Sequence, residues 1–290
     1  MYIESESISE SLVALSRLLI SEGFPASPRD IPTLELRGVL IRIKDPRNRI
    51  VCVPERRWSA SYAVGEFCWH MSADNSLEFI KYYSEAWRAF SDNGVEISGS
   101  CYGRHIFSGG NASQWSTVKN LLRSDVNSRR AVLYFADPGY DLESAKDVPC
   151  ISNMQFMVRN RKIDCFVSMR SNDLILGYCY DVYFMTMLQE MMAVELGLDI
   201  GEYTHFVASM HAYCDKLDVV RNVSSSAMSI CEPMSPMCCV DEISTVLEVE
   251  RMLRSGDANG LNLIGNLSEY WKDFCSPLIN KFYKKHGCSM

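Results

Sequence analysis

Strands and helices that mix without regular alternation predict an α+β fold, a mixed β-sheet packed by helices rather than a doubly wound sheet. Three features carry that reading. Residues 181–196 are apolar nearly all round (Val182, Phe184, Met185, Met187, Leu188, Met191, Met192, Val194), as a helix through the middle of a core must be. Residues 150–171 alternate with a period of two. Met154, Phe156 and Val158 share one side, Ile163, Cys165 and Val167 share a side of the next run, and residues 159–162 between them predict a hairpin. Near the start, Ser7 and Glu10 have capping-box spacing and Leu12, Leu15, Leu18 and Leu19 follow at helical intervals, so residues 8–22 read as an amphipathic helix ended by Gly23.

The remaining elements follow in order. Residues 34–53 hold two apolar runs broken by Asp45, Pro46, Arg47 and Asn48, which suggests two strands and a turn. Residues 59–72 and 76–90 read as helices, the second with Leu77, Ile80, Tyr83 and Trp87 on one side. A short helix at 115–123, a strand at 131–135, a strand at 207–213 and a late helix at 242–254 complete the pattern. Residues 224–239 read as a loop rich in Ser, Met, Cys and Pro. The 290 residues show neither repeat nor linker and are expected to form one catalytic domain, 1–290.

Composition excludes several classes. A net charge of −7 argues against non-specific binding along a polyanion, though not against a small phosphate site. The twelve cysteines are scattered rather than framed as in a small secreted domain, so reduced thiols are expected. The acidic start (Glu4, Glu6, Glu10) does not resemble a signal peptide, and no apolar run is long enough to span a membrane. The expectation is a soluble cytoplasmic protein. Cys231, Cys238 and Cys239 lack paired spacing and a nearby histidine, so no metal is expected.

The chemistry gathers between Cys150 and Asp181. A lone cysteine is usually a small buried hydrophobe, but a thiolate becomes a nucleophile when cations or donors lower its pKa. Arg170, Arg129 and Arg130 are the nearby cations. The adjacent pair Arg129 and Arg130 could grip a phosphate with forked guanidinium groups, or sit solvated at a strand entrance. His211 and Tyr213 would face one side of a strand and could bind a sugar hydroxyl or satisfy each other. Glu66, among Val64, Phe67, Cys68 and Trp69, is either at a helix edge or buried for proton transfer.

Taken in order, these pieces resemble the thymidylate synthase family over residues 10–215. Ser128-Arg129-Arg130 resembles its arginine pair, and Pro149-Cys150 its Pro-Cys-His motif with Ile151 in place of histidine. Arg170-Ser171-Asn172-Asp173 is similar to its Arg-Ser-x-Asp segment, and His211-Ala212-Tyr213 to its His-x-Tyr strand. Glu66-Phe67-Cys68-Trp69, Tyr102-Gly103 and, more loosely, Arg29 complete the match. The resemblance implies a thymidylate synthase-like fold that dimerises through its sheet. It also implies a nucleotide phosphate held by Arg29, Arg170 and Ser171, with Arg129 and Arg130 reaching across a homodimer. His211 and Tyr213 would hold the sugar and Asp173 the pterin of 5,10-methylenetetrahydrofolate. Cys150 would be the nucleophile, with Tyr102 assisting proton loss and Glu66 organising water. Residues 221–290 have no family counterpart.

Two departures shift the reading. Gly177-Tyr178-Cys179-Tyr180-Asp181 stands where a synthase acting on dUMP has Gly-x-Pro-Phe-Asn. An ionised Asp181 offers only acceptors, which suits the cytosine amine better than uracil O4. Ser98 replaces a tryptophan that covers the folate and the reacting carbon, which should admit water. Both changes resemble the CMP and dCMP hydroxymethylases of phage DNA modification and of nucleoside antibiotic biosynthesis. A CMP or dCMP 5-hydroxymethylase is therefore expected; a methylating synthase and a non-catalytic nucleotide-binding relative remain the alternatives.

Overall fold

The computed structural model describes residues 1–136, 139, 141–227 and 231–287. Part of the 224–239 loop, residues 228–230, lies outside the described residues. In chain order the elements are β1 (Tyr2–Ser5), α1 (Ile8–Glu22), β2 (Phe24–Ala26), β3 (Thr33–Ile43), α2 (Ala60–Ser72), α3 (Leu77–Lys81) and α4 (Tyr102–Phe107). Next come α5 (Gln114–Ser124), β4 (Val132–Tyr134), β5 (Ile151–Arg159), β6 (Lys162–Asp173), α6 (Tyr178–Leu196) and β7 (Asp199–Tyr213). Helices α7 (Leu217–Ser224), α8 (Ile243–Ser255), α9 (Gly260–Ile264) and α10 (Glu269–His286) complete the chain. The fold is α+β, with a seven-stranded mixed sheet in the order β1-β3-β7-β6-β5-β4 and β2 beside β3.

The chain divides into two compact units. The first holds Met1–Trp58, Val118–Leu133 and Cys150–Ser235, and so most of the sheet. Strands β5 and β6 form the expected antiparallel hairpin, turned by Asn160 and Arg161 at positive φ. Strands β6 and β7 are parallel, and α6 is the crossover between them. Its nineteen residues are buried on nearly every side, as their composition predicts. Gly197, at φ 65, ends it in a left-handed cap where a side chain would be strained.

Polar anchors hold α6. Gln189 Nε2 donates to the backbone oxygens of Ile163 (2.9 Å) and Glu202 (3.0 Å), so one side chain joins β6 to β7. Glu190, fully buried, accepts from Arg47 (2.6 Å) and Arg49 (2.5 Å). Removing one partner of such a pair typically costs about 3–5 kcal/mol, because the other charge is left uncompensated. Ser11 and Tyr178 share a hydrogen bond of 2.7 Å that ties α1 to the start of α6.

Helix α1 begins as its sequence signals. Ser7 Oγ accepts the Glu10 N–H, while the Glu10 carboxylate takes the N–H of Glu6. Elsewhere the structure corrects the reading. Only one strand, β3, occupies residues 34–53; the Cys52 N–H is taken by Ser9 Oγ rather than by a sheet neighbour, and Pro54 follows closely. Residues 76–90 form α3 and a 3₁₀ turn (Glu85–Ala89) instead of one helix. Strand β7 starts eight residues earlier than expected and helices α7, α9 and α10 were not foreseen. The cysteines are not all reduced either: Cys52 and Cys231, 179 positions apart, have Cα atoms 5.9 Å apart and form a disulfide.

The second unit comprises Ser59–Thr117, Tyr134–Pro149 and Pro236–Met290. Here α2 packs on α10, with Phe67 edge-on to Phe274 at 5.1 Å. Glu250 of α8, almost fully buried, accepts from Tyr83 (2.7 Å) and Arg254 (2.8 Å). Among the described residues, no helix is long and apolar enough to cross a membrane.

Candidate active site

The hairpin places the sulfur. Cys150 lies just before β5, and its backbone oxygen accepts from the Arg170 N–H at 2.9 Å. That register sets Ser171 beside the thiol, with Ser171 Oγ donating to Sγ at 3.6 Å. Arg170 Nη1 in turn donates to Ser171 Oγ at 3.2 Å. Ser171 thus links the sulfur to the Arg170 guanidinium through two hydrogen bonds. Cys150 is only partly buried and Arg170 is exposed, so both are reachable.

Two residues further along β6 the chemistry changes. Asp173 Oδ1 accepts from the backbone N–H groups of Ile175 (2.7 Å) and Leu176, which forms the turn into α6. Its Oδ2 is buried without a hydrogen-bond partner among the described residues, and burial pushes its carboxyl pKa up, against the pull of those N–H groups and of His211. A buried carboxyl oxygen left without a partner can accept from an N–H group of a bound molecule. Asp173 is paired in register with His211 on β7, and the His211 ring meets Tyr213 edge-on at 5.6 Å. Both rings share a side of the strand, as expected from their spacing.

Asp181 occupies the first turn of α6. Its Oδ2 accepts from Asn172 Nδ2 at 2.8 Å. Behind them, Asn172 Oδ1 lies 3.1 Å from His205 Nε2, and His205 Nδ1 lies 2.8 Å from the Tyr203 hydroxyl. Gly177 leaves room for the pair, since a Cβ there would fall 3.0 Å from Asp181 Oδ2 and 3.1 Å from Asn172 Nδ2. A little of Asp181 stays accessible to solvent while protein surrounds the carboxyl. Burial pushes its pKa up to about 7, outweighing the Asn172 hydrogen bond; the nearby Asp173 adds to the rise. The acceptor-only carboxylate expected from sequence is therefore corrected. Near neutrality Asp181 is divided between an acid that donates one proton and a carboxylate.

Arg29 is exposed in a turn at φ 53, and Arg129 and Arg130 are exposed just before β4. Glu66, Tyr102 and Ser98 belong to the second unit. Glu66 is almost buried on α2 and its Oε1 accepts from the Tyr62 hydroxyl at 2.7 Å, while Trp87 Nε1 donates to that same hydroxyl at 2.9 Å. Tyr102 begins α4, its ring stacked on His70 at 5.3 Å. Ser98 is exposed, in a loop fixed by Asp147, which accepts from the N–H groups of Gly99 (2.7 Å) and Ser100 (2.8 Å). Among the described residues no cluster of three or more His, Cys, Asp or Glu side chains could hold a metal ion.

Sequence reasoning passed over Asn172, His205, Tyr203 and Arg56. Asn172 reads as the spacer of its motif, although its position beside two acids was a usable signal. Tyr203 and His205 lay outside the expected strand. Arg56, nearly buried, sits 5.2 Å above the Tyr180 ring beside Asp181.

The raised pKa has a consequence for stability. Between the ordinary Asp value and about 7 the folded protein binds more protons at Asp181 than the unfolded chain does, so stability falls as pH rises through that window. Asp181→Asn should remove this dependence and gain up to about 4 kcal/mol at pH 8 relative to wild type, with little difference near pH 4. Urea midpoints at the two pH values check this; equal differences at both would show that Asp181 is not the titrating group.

The thymidylate synthase family profile matches residues 13–233. The deoxyuridylate hydroxymethyltransferase of Bacillus phage SP01 is 29% identical over 210 residues, covering 68% of this chain and 55% of the phage protein. The protein of the same name from Delftia phage PhiW-14 is 30% identical over 204 residues, covering 66% and 56%. The chain thus spans about half the length of these curated relatives. With the profile covering most of its length, the chain belongs to the thymidylate synthase family.

Proposed function

We propose that this protein is a folate-dependent 5-hydroxymethylase of a cytidine monophosphate, CMP or dCMP. The observation that carries the reading is Asp181, a desolvated carboxyl with a pKa near 7 at the position where the family's dUMP synthases carry asparagine. As an acid it can protonate cytosine N3 while its other oxygen accepts from the N4 amine. Cys150 adds to carbon 6, the ring electrons shift to N3, and the Asp181 proton moves there, leaving carbon 5 nucleophilic. 5,10-Methylenetetrahydrofolate supplies one carbon at the oxidation level of formaldehyde. Tyr102 or a water takes the carbon 5 proton, and Glu66, held by Tyr62, directs water onto the exocyclic methylene. Loss of the Cys150 sulfur and return of the N3 proton to Asp181 complete the turnover. Nucleotide, methylenetetrahydrofolate and water thus give the 5-hydroxymethyl nucleotide and tetrahydrofolate, with no external oxidant or reductant.

Arg170 and Ser171 bind the phosphate in this reading, with Arg29; His211 and Tyr213 bind the sugar and Asp173 the pterin. Arg129 and Arg130 reach a second subunit's phosphate. An outward apolar face on the sheet supports dimerisation: Leu40 and Phe206 are paired in register, Phe166 lies on the next strand, and each is more than a third exposed.

A second reading, hydroxymethylation of deoxyuridylate, is favoured by the names of the two phage relatives. A neutral Asp181 can also offer the donor and acceptor that uracil requires. Tritium release from carbon 5 of CMP, dCMP, UMP and dUMP separates the readings when each is incubated with the folate. Release from a cytosine nucleotide without dihydrofolate formation is expected, and Cys150→Ala should abolish it. Release confined to uracil would establish the second reading, and dihydrofolate absorbance a methylating synthase. Binding without any release would leave only a nucleotide-binding relative. Asp181→Asn should move preference towards uracil by at least about tenfold. Sedimentation velocity at micromolar concentration should give twice the chain mass; a monomer that is fully active would remove the role given to Arg129 and Arg130.

A further inference from the structure

This inference rests on the cytosine reading and concerns how Asp181 tells two nearly isosteric bases apart. A carboxylic acid carries one donor and one acceptor, and moving the proton between its oxygens reverses their order. Cytosine presents an acceptor at N3 beside a donor at N4. Uracil presents a donor at N3 beside an acceptor at O4. An Asp181 able to carry its proton on either oxygen would therefore fit both.

The side chains behind Asp181 supply a fixed direction. His205 is fully buried, and burial holds its pKa down at about 3, so the ring is neutral and has a single N–H. The oxygen of Asn172 can only accept, so that N–H sits on Nε2 and Nδ1 accepts from the Tyr203 hydroxyl. The chain then runs one way, from Tyr203 through His205 and Asn172, and ends with the Asn172 N–H on Asp181 Oδ2. An oxygen already receiving an N–H along one lone pair is a poor place for a proton. Its second lone pair can still accept from a base.

We propose that Asn172, oriented by His205 and Tyr203, is a positioning residue for specificity: it keeps the proton of Asp181 on Oδ1, so the carboxyl meets cytosine with a donor for N3 and an acceptor for the N4 amine. Uracil meets the opposite order, with N3–H against the proton and O4 against an acceptor. The titratable and charged groups around the carboxyl fit this assignment. Asp173 on β6 acts on Asp181 and can only raise its pKa. Arg56 and, on β7, His211 act on Asp173, while Arg56 also bonds Cys179 of α6. Tyr203 is held protonated by burial, and Tyr178 by burial as well while it bonds Ser11. Among the described residues, the donor bonded to Oδ2 is Asn172.

The test is the ratio of kcat/KM for dCMP to that for dUMP, and for the ribonucleotide pair, read by tritium release with the folate present. Asn172→Ala should lower the cytosine-to-uracil ratio by about tenfold or more, with uracil turnover rising as cytosine turnover falls. His205→Leu should lower it too, whereas His205→Gln, whose amide N–H can replace Nε2–H, should restore most of it. Circular dichroism establishes that each variant is folded, and Asn172→Ser reads the same ratio if the alanine variant is not. A folded Asn172 variant that keeps the ratio within about twofold of wild type overturns this proposal alone. A wild type that prefers uracil, or turns over neither base, overturns the cytosine reading and this proposal with it.

Discussion

A carboxyl held out of water where a neutral amide is usual is the constraint on which this site depends. Asp181 is on the first turn of a helix buried on nearly every side, so water cannot stabilise its charge cheaply. The protein answers with one hydrogen bond rather than a counter-ion. Asn172 lowers the pKa somewhat, but desolvation wins and the group titrates near 7. An ion pair with Arg56 would have done the opposite, locking the carboxylate ionised. Arg56 instead lies over Tyr180 and bonds Cys179. The result is a carboxyl whose pKa lies near neutrality rather than in the usual carboxylate range.

The scaffold explains how that constraint is sustained. Helix α6 is tied by Gln189 to two strands and by Glu190 to two arginines, and its first turn is tied to α1 through Tyr178 and Ser11. Asn172, near the end of β6, meets His205 of β7 through their side chains at 3.1 Å and reaches Asp181 with its amide N–H. The antiparallel hairpin sets Ser171 against Cys150. Three consecutive residues of β6 thus make three different contacts: Ser171 with the sulfur, Asn172 with the Asp181 carboxyl and Asp173 with the turn into the helix. Glu66 is placed with comparable care, through Tyr62 and Trp87.

Legibility in the sequence followed the strength of local signals. The capping residues of α1, the alternation of β5 and β6 and the continuous apolar surface of α6 are local, and each was read to within a few residues. The first half of β7 was missed because Thr204 and His205 interrupt its apolar alternation, though His205 faces the core for a polar reason of its own. Helix α10 was missed because much of its surface is charged and its Pro277 breaks the pattern. The residues 76–90 read as one helix because Leu77, Ile80, Tyr83 and Trp87 keep helical spacing across a bend. In the site, motif residues were legible and their supports were not. Asn172, His205 and Tyr203 gain meaning only when two strands lie side by side, and the pKa of Asp181 depends on packing that no spacing reveals.

The account turns on contact between one carboxyl and one edge of a base, and a structure with bound CMP or dCMP tests it most directly. It predicts Asp181 oxygens within about 3 Å of both N3 and the N4 amine, with the Cys150 sulfur close to carbon 6. A carboxyl turned from the base, or a sulfur out of reach of that carbon, would contradict it.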